Sequence, residues 1–393
     1  MYQIAESNDG ALFYSDYQEI RQGKKIHHPT LEYQTGSIRN DFDFGQLLLF
    51  RNDSFQQVVA QMNTDYRFAA LYELRLSISR LGKIVHIPET LYTVQPTDLR
   101  LSGEKQFDYV DPANREVQLE MEAVCTAHLQ AIGAWLAPEF QRIDFGQENF
   151  AREASVIIPV RNRKRTIAEA VESALQQQTD FSFNVIVVDN HSTDGTGQIL
   201  TELSRRYPNL IHHIPASTEL GIGGCWTEAI LLPECGKFAI QLDSDDLYKD
   251  CHVLQRIVDT FYQENCAMVI GSYQMVDFKL EEIPPGLIAH REWTPDNGRN
   301  NALRINGLGA PRAFYTPVLR QIKFPNVSYG EDYATALAIS RKYPIARIYD
   351  PLYLCRRWEE NSDHDLDIQQ LNNYNFYKDK IRTLEIQARI SGK

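Results

Sequence analysis

Cysteine is scarce, and what there is lacks pattern. The six residues Cys125, Cys225, Cys235, Cys251, Cys266 and Cys355 form no CxxC pair and no metal-finger spacing. This excludes a disulfide scaffold and a zinc finger, and reads as a reduced, cytoplasmic protein. Long apolar runs are missing too. The longest, such as Leu47–Phe50, are strand-sized, so no membrane span and no signal peptide is expected. Peripheral membrane association would leave little trace and stays compatible with this. Basic charge is in deficit, with 40 Lys and Arg against 52 Asp and Glu for a formal net charge of −12. A general nucleic-acid binder needs clustered Lys and Arg and is excluded. A dinucleotide fingerprint is also lacking: Gly221-Ile222-Gly223-Gly224 has the wrong spacing and does not follow the first strand of its domain.

What is present suits a soluble globular protein of 393 residues, long for one core and sufficient for two domains. From residue 154 strands and helices alternate. Ser155–Val160 is a continuous apolar run, as buried parallel strands require. Thr166 begins a helix, with Glu169 completing a capping box. Val185–Val188 ends in Asp189-Asn190, and the turn Ser192–Thr196 leads to a helix reaching Arg206. A third strand near Leu210–Ile214 precedes the Gly221–Gly224 segment and its helix. A fourth, Lys237–Leu242, ends in Asp243-Ser244-Asp245-Asp246. Repeated units of this kind predict a doubly wound parallel sheet whose ligands sit at the carboxyl ends of the strands. The acidic residues lie at those ends.

Residues 112–136 read as an amphipathic connecting helix, and 367–390 as a terminal helix whose Tyr, Phe and Leu form a packing face. An internal repeat is also legible. Phe44–Phe50 lines up with Leu308–Phe314, Ile78-Ser79-Arg80 with Ile339-Ser340-Arg341, and Ile87–Tyr92 with Tyr349–Tyr353. Tyr14-Ser15-Asp16-Tyr17 is set against Asp243–Asp246. The expected organisation is a degenerate partial domain over 1–103, a helical connector over 104–152, the main domain over 153–365 and a helical segment over 366–393.

Three carboxylates in one strand-end turn repel one another, which is costly unless a cation or a donor hydroxyl binds there. An isolated Asp-Ser-Asp-Asp is as well explained as a solvated turn or helix cap. Its place after the fourth strand of a β-α array favours a site.

Ser155–Asn162, Val187–Thr196, Leu242–Asp246 and Gly330-Glu331-Asp332 together resemble the family 2 glycosyltransferases, over residues 154 to 362 and in the family's order. The resemblance implies a GT-A fold, an α/β mixed sheet flanked by helices that binds a nucleotide sugar, with a partial copy of it at the N-terminus. It further implies an inverting, metal-dependent transfer from a nucleotide-sugar donor to a glycan, glycolipid or protein-linked acceptor. Pro159 and Arg161 would lie beside the base. Asp189 would accept its hydrogen bond, which suits the imide of uracil and hence a UDP-sugar. Asp243 and Asp245 would bracket ribose and metal, with Asp245 and Asp246 the expected ligands of Mn²⁺ or Mg²⁺.

Asp332 is the expected general base, with Glu331 beside it; both could otherwise be ordinary first-turn acids. Arg356-Arg357 resembles the family's closing basic motif, which holds the diphosphate. Trp358 stands where the family has histidine, and His364 is a candidate replacement ligand, though a lone histidine in an acidic loop is also an ordinary surface residue. Arg161 stands where an aromatic is common, and Cys225-Trp226-Thr227 replaces Ala-Arg-Asn. Trp226 and Trp293 either stack on a sugar or pack in the core, the commoner fate. His27-His28 and His212-His213 read as structural.

In the N-terminal copy Glu331-Asp332 becomes Ala70-Leu71, and the acidic cluster keeps only Asp16, so that copy is expected to be non-catalytic. Two other functions stay open: a sugar nucleotidyltransferase, although Arg161–Arg165 lacks the glycines of a triphosphate loop, and a glycan-binding scaffold without turnover.

Overall fold

A computed structural model describes residues 1–98, 100, 105, 108–146, 149–358, 361 and 366–392. They form two compact units. One comprises residues 138–296 and 307–361; the other gathers 1–137, 297–306 and the residues from 362 onward.

The first of these is built on the two longest apolar runs. β1 (Ala154–Val160) and β2 (Phe183–Asp189) are buried along almost their whole length, as strands covered on both faces must be. They pair in parallel, Val160 opposite Asp189. Around them lie α1 (Ile167–Leu175), α2 (Thr196–Arg206), β3 (Leu210–His213), α3 (Ile222–Leu231), β4 (Phe238–Gln241) and β5 (Leu247–Tyr248). There follow α4 (Val253–Glu264), β6 (Met268–Val276), β7 (Glu282–Ile288), β8 (Arg312–Tyr315), α5 (Thr316–Ile322), α6 (Glu331–Ser340) and β9 (Ile345–Arg356). The sheet has nine strands in the order β5-β9-β6-β8-β4-β1-β2-β3, with β7 paired to β6.

Only β3-β2-β1-β4 is the parallel array expected from the sequence. β8 inserts antiparallel beside β4, so the sheet is mixed and the wholly parallel reading is corrected. β8 is short and follows a loop rather than a helix, so it carries no β-α signature. The α/β class with a mixed sheet flanked by helices is as expected.

The expected capping box at α1 does not form. Thr166 makes no side-chain cap; its Oγ1 donates instead to the Ser244 carbonyl at 2.9 Å, and Glu169 pairs with Arg356. The local signature was right for a helix start, but two tertiary partners take the side chains, the Ser244 carbonyl in the acidic turn and Arg356 at the end of β9.

The other unit holds two small sheets, Leu49–Phe50/Gly10–Ser15/Lys83–Ile87 and Lys24–His28/Tyr17–Arg21/Thr93–Val94, over a core that includes Leu12, Tyr14, Phe42, Phe44, Leu74 and Ile78. The helix expected as a connector spans Arg115–Ala131 and belongs here, as do residues 297–306 and the terminal helix Ile368–Ile390. Along that terminal helix the side chains are unevenly buried, with Ile381 and Ile386 buried and Tyr374 and Tyr377 half-buried. Phe376 and Leu384 are exposed, while Asp379, Arg382, Glu385 and Arg389 are buried. Asp379 accepts from Ser37 Oγ at 2.9 Å and from Arg382 and Arg39 at 2.8 and 3.3 Å. Arg382 also donates to the Ile305 carbonyl at 2.8 Å. Buried charges persist only when paired and hydrogen-bonded, and this network ties the helix to residues 37–39 and 305–306.

The strand pairing of this unit recurs in the nine-stranded sheet. Leu12 pairs with Phe50 and Ile84, and Met268 with Phe314 and Ile345. Gln18 pairs with His27 and Thr93, and Gln274 with Leu287 and Leu354. By these pairings Tyr14–Tyr17 stands at the place of Ile270–Tyr273. The alignment of Tyr14–Tyr17 with Asp243–Asp246 is therefore corrected, and Asp16 is no remnant of the acidic turn. Asp16 accepts instead from Thr30 N, Thr30 Oγ1 and His86 Nε2 at 2.8, 3.0 and 2.8 Å.

Candidate active site

The residues singled out in the sequence gather on the carboxyl rim of β1, β2 and β4. Asp189 ends β2, buried, with Oδ1 accepting from Ser192 N at 2.9 Å and Oδ2 facing His212 Nε2 at 3.3 Å. Burial pushes its carboxyl up, but the His212 and Ser192 hydrogen bonds outweigh that and hold it below its ordinary value. His212, read as structural, thus supports the Asp189 carboxylate. Only its place on the neighbouring strand reveals this.

The loop after β1 is stitched to the loop after β2. Asn162 N donates to Ser192 Oγ at 2.9 Å, Lys164 N to Asp194 Oδ2 at 2.9 Å, and Arg163 N to Thr196 Oγ1 at 2.9 Å. Pro159 lies in β1 opposite Val188, and Arg161 follows exposed on the loop. From this loop the Arg163 Nε comes within 3.8 Å of Asp245 Oδ2. The stitched loops thus join the Asp189 end of the rim to the acidic turn.

Each carboxylate of that turn has its own environment. Asp243 receives both its oxygens' hydrogen bonds from Gln241 Nε2, at 2.9 and 3.0 Å, and its N–H donates to the Tyr353 hydroxyl at 2.8 Å. Asp245 Oδ2 accepts from Trp358 Nε1 at 3.2 Å. Asp246 Oδ1 accepts from Arg356 N at 2.8 Å. Burial first, and the charge of Asp245 after it, raise both the Asp243 and Asp246 carboxyls above the ordinary range, Asp246 the further.

Such a cluster carries more negative charge than its surroundings neutralise, and its donors are hard carboxylate oxygens. This fits a divalent cation. Among the described residues no group of three His, Cys, Asp or Glu side chains forms a closed metal cage. Mg²⁺ or Mn²⁺ does not need one, since two carboxylates with water and phosphate oxygens suffice. His364 lies outside the described residues.

Arg356 closes the turn from β9. It is fully buried, donates through Nε to the Asp245 carbonyl, and pairs through Nη1 with Glu169. Its Nη2 is buried with no hydrogen-bond partner among the described residues. An orphaned guanidinium nitrogen beside an acidic turn is suited to a phosphate oxygen. Arg357 follows, its N–H on the Val276 carbonyl at 2.8 Å. Trp358 is buried against Phe278 and under Arg163 and Arg165, so it packs rather than ligates.

Asp332 lies in the first turn of α6, after Gly330, whose φ of +79° favours glycine. Its Oδ2 meets Arg312 Nη1 at 2.5 Å, and its side chain is 23% exposed, enough to reach solvent. Glu331 points inward instead. Burial, then the charge of Asp332, raise its carboxyl to about 8, so it is protonated at neutral pH, and Oε2 has no hydrogen-bond partner.

The glycines of α3 serve this segment. A Cβ on Gly223 would lie 2.0 Å from the Pro325 carbonyl oxygen, and one on Gly221 2.5 Å from Val327 C. Gly223 N donates to the Val327 carbonyl at 2.9 Å. They let α3 pack closely onto the chain that leads to Asp332. Trp226 and Trp293 are both buried, the core alternative, with Trp226 against Phe314 and Phe324.

Residues 155–322 match the model of glycosyl transferase family 2. A poly(ribitol-phosphate) beta-glucosyltransferase of Bacillus spizizenii is 24% identical over 230 residues, 57% of this chain and 35% of its own. An uncharacterized glycosyltransferase of Nostoc is 32% identical over 123 residues, 31% of this chain and 37% of its own. The chain thus spans little more than a third of the length of these curated relatives. Among solved structures, S. aureus TarS 1–349 in complex with UDP-GlcNAc is similar over 60% of this chain and 72% of its own, with 22% identity and a TM-score of 0.46. No helix among the described residues is long and apolar enough to cross a membrane. Through residues 155–322, then, the chain is similar to glycosyl transferase family 2.

Proposed function

We propose that the nine-stranded unit transfers a sugar, with inversion, from a nucleotide-diphosphate donor to a hydroxyl of a glycan, glycolipid or protein-linked acceptor. The observation that carries this reading is the arrangement along one sheet rim: a buried carboxylate at Asp189, an acidic turn at Asp243–Asp246, and Asp332 held by Arg312 of β8. The family match over residues 155–322 supports it.

In this reading Asp189 accepts the imide N–H of uracil, which makes a UDP-sugar the favoured donor, with Pro159 and Arg161 beside the base. Asp245 and Asp246 would hold Mn²⁺ or Mg²⁺, which when bound supplies charge neutralisation at the diphosphate. Arg356, through its orphaned Nη2, and Arg357 hold phosphate oxygens. Asp332 takes the proton of the acceptor hydroxyl as that oxygen attacks the anomeric carbon and the bond to the diphosphate breaks. Glu331, protonated and buried, adds no charge to the base. The poly(ribitol-phosphate) activity named for the B. spizizenii relative supports a polymer hydroxyl as acceptor. The unit containing residues 1–137 is read as a non-catalytic partial copy, a reading supported by the recurring strand pairings, by Leu48 standing two residues before Phe50 as Arg312 does before Phe314, and by the sequence match of Leu71 to Asp332.

Thermal unfolding with Mn²⁺ and UDP, GDP, CMP or dTDP tests the donor half. A ligand bound only by the folded state raises the midpoint. A metal-dependent rise with UDP that Asp245→Ala abolishes is expected. No rise with any nucleotide would favour a glycan-binding scaffold instead.

A further inference from the structure

Arg312 was not among the residues singled out in the sequence, yet it stands between the two halves of the site. Its Nη1 meets Asp332 Oδ2 at 2.5 Å and donates to the Gly309 carbonyl at 3.0 Å. Its N–H donates to Gln241 Oε1 at 3.0 Å, and the amide nitrogen of the same Gln241 holds both oxygens of Asp243. The carboxyl groups that act on the guanidinium are Asp332 first, then Asp243, with the Glu331 carboxyl and the Tyr353 phenol after them; burial works against its charge, and the Asp332 and Asp243 carboxylates lead the groups that outweigh burial. Gly309 adopts φ +97°, and a Cβ there would lie 2.7 Å from His290 Cδ2, so the turn that presents its carbonyl to Arg312 requires glycine.

We infer that Arg312 is the positioning residue for Asp332 and links it to the donor carboxylate Asp243, an inference that rests on the transferase reading above. With Oδ2 gripped by the guanidinium, the Asp332 carboxylate cannot turn freely about Cβ–Cγ, which fixes the direction from which it accepts a proton. The Gly309 carbonyl and the backbone bond to Gln241 hold the arginine in turn. Gln241 ties the same strand end to Asp243, so a shift of either carboxylate is felt by the other through one amide. A lysine would keep the charge but lose the planar, rigid guanidinium whose Nη1 engages carbonyl and carboxylate together.

The test compares wild type, Arg312→Met and Arg312→Lys by kcat, by the pH profile of kcat/KM and by calorimetric binding of UDP with Mn²⁺. Misplacing a catalytic group by about 1 Å costs roughly 10²-fold. Arg312→Met is expected to lose kcat on that scale with UDP affinity kept, and its acid limb should move to higher pH because a neighbouring positive charge is gone. Arg312→Lys should keep the limb in place and recover only part of kcat. An unchanged limb in Arg312→Met, or a loss explained by weaker UDP binding, would overturn the inference.

If Arg312→Met does not fold, Arg312→Lys carries the test, and wild-type kcat in that variant would overturn it. If wild type turns over no donor, the transferase reading fails by itself. Carboxyl-carbon NMR titration of Asp332, assigned with Asp332→Asn, then decides: an upward midpoint on loss of the guanidinium charge, compared with Arg312→Lys, supports the link, and an unmoved midpoint overturns it.

Discussion

His212 Nε2 lies 3.3 Å from Asp189 Oδ2, reaching from β3 to the end of the neighbouring strand β2. The pair is buried, and the imidazole is the first of the groups that offset the burial penalty on the Asp189 carboxylate.

Replacing that ring with an apolar one of similar size isolates its contribution. His212→Phe leaves Asp189 buried with one fewer partner, a loss typically of about 1–3 kcal/mol. UDP affinity is expected to fall by roughly tenfold or more, with nucleotide binding fading at a higher pH than in wild type as the solution is acidified. The sign follows from the depressed carboxyl: its ionised form persists to lower pH with His212 present than without it. Calorimetric titration at two pH values measures this, and equal affinities for the two proteins would remove His212 from the site.

Glu331 makes the opposite prediction. Its folded carboxyl is raised to about 8 from an ordinary 4.5. Between those values the folded protein holds a proton that the unfolded chain does not, so this group's contribution to stability is intact below 4.5 and is lost as pH rises through 8. Glu331→Gln cannot ionise and escapes that loss. Unfolding midpoints at pH 5 and pH 8 should show the variant gaining on wild type towards alkaline pH. A difference independent of pH would mean that Glu331 is not buried as a neutral acid.

Much of the rim was legible because a strand buried on both faces reads as an unbroken apolar run, and the acidic residue at its carboxyl end comes next in sequence. Val185–Val188 followed by Asp189 is the plainest instance. Arg312 escaped because sheet order, not sequence order, puts the short, antiparallel, loop-preceded β8 beside β4, and His212 because the register of β3 against β2 that sets it beside Asp189 cannot be read from one sequence. The capping box at Thr166 and Glu169 was a sound local inference overruled by tertiary partners, the Ser244 carbonyl for Thr166 and Arg356 for Glu169. The terminal helix was only partly legible because its buried face mixes Ile381 and Ile386 with charged residues, Asp379 and Arg382 among them, whose partners lie far away in sequence. Asp16 was matched to the acidic turn by residue type, whereas strand pairing, invisible in one sequence, assigns its place.

The most direct test of the central claim is nucleoside-diphosphate release from a UDP-sugar in the presence of an acceptor, by wild type and Asp332→Asn, with UDP binding measured alongside. A positioned general base contributes about 10²–10⁴-fold. The account predicts a loss on that scale in Asp332→Asn with UDP affinity and unfolding midpoint preserved. Turnover equal to wild type would contradict it, as would a loss that follows weakened UDP binding.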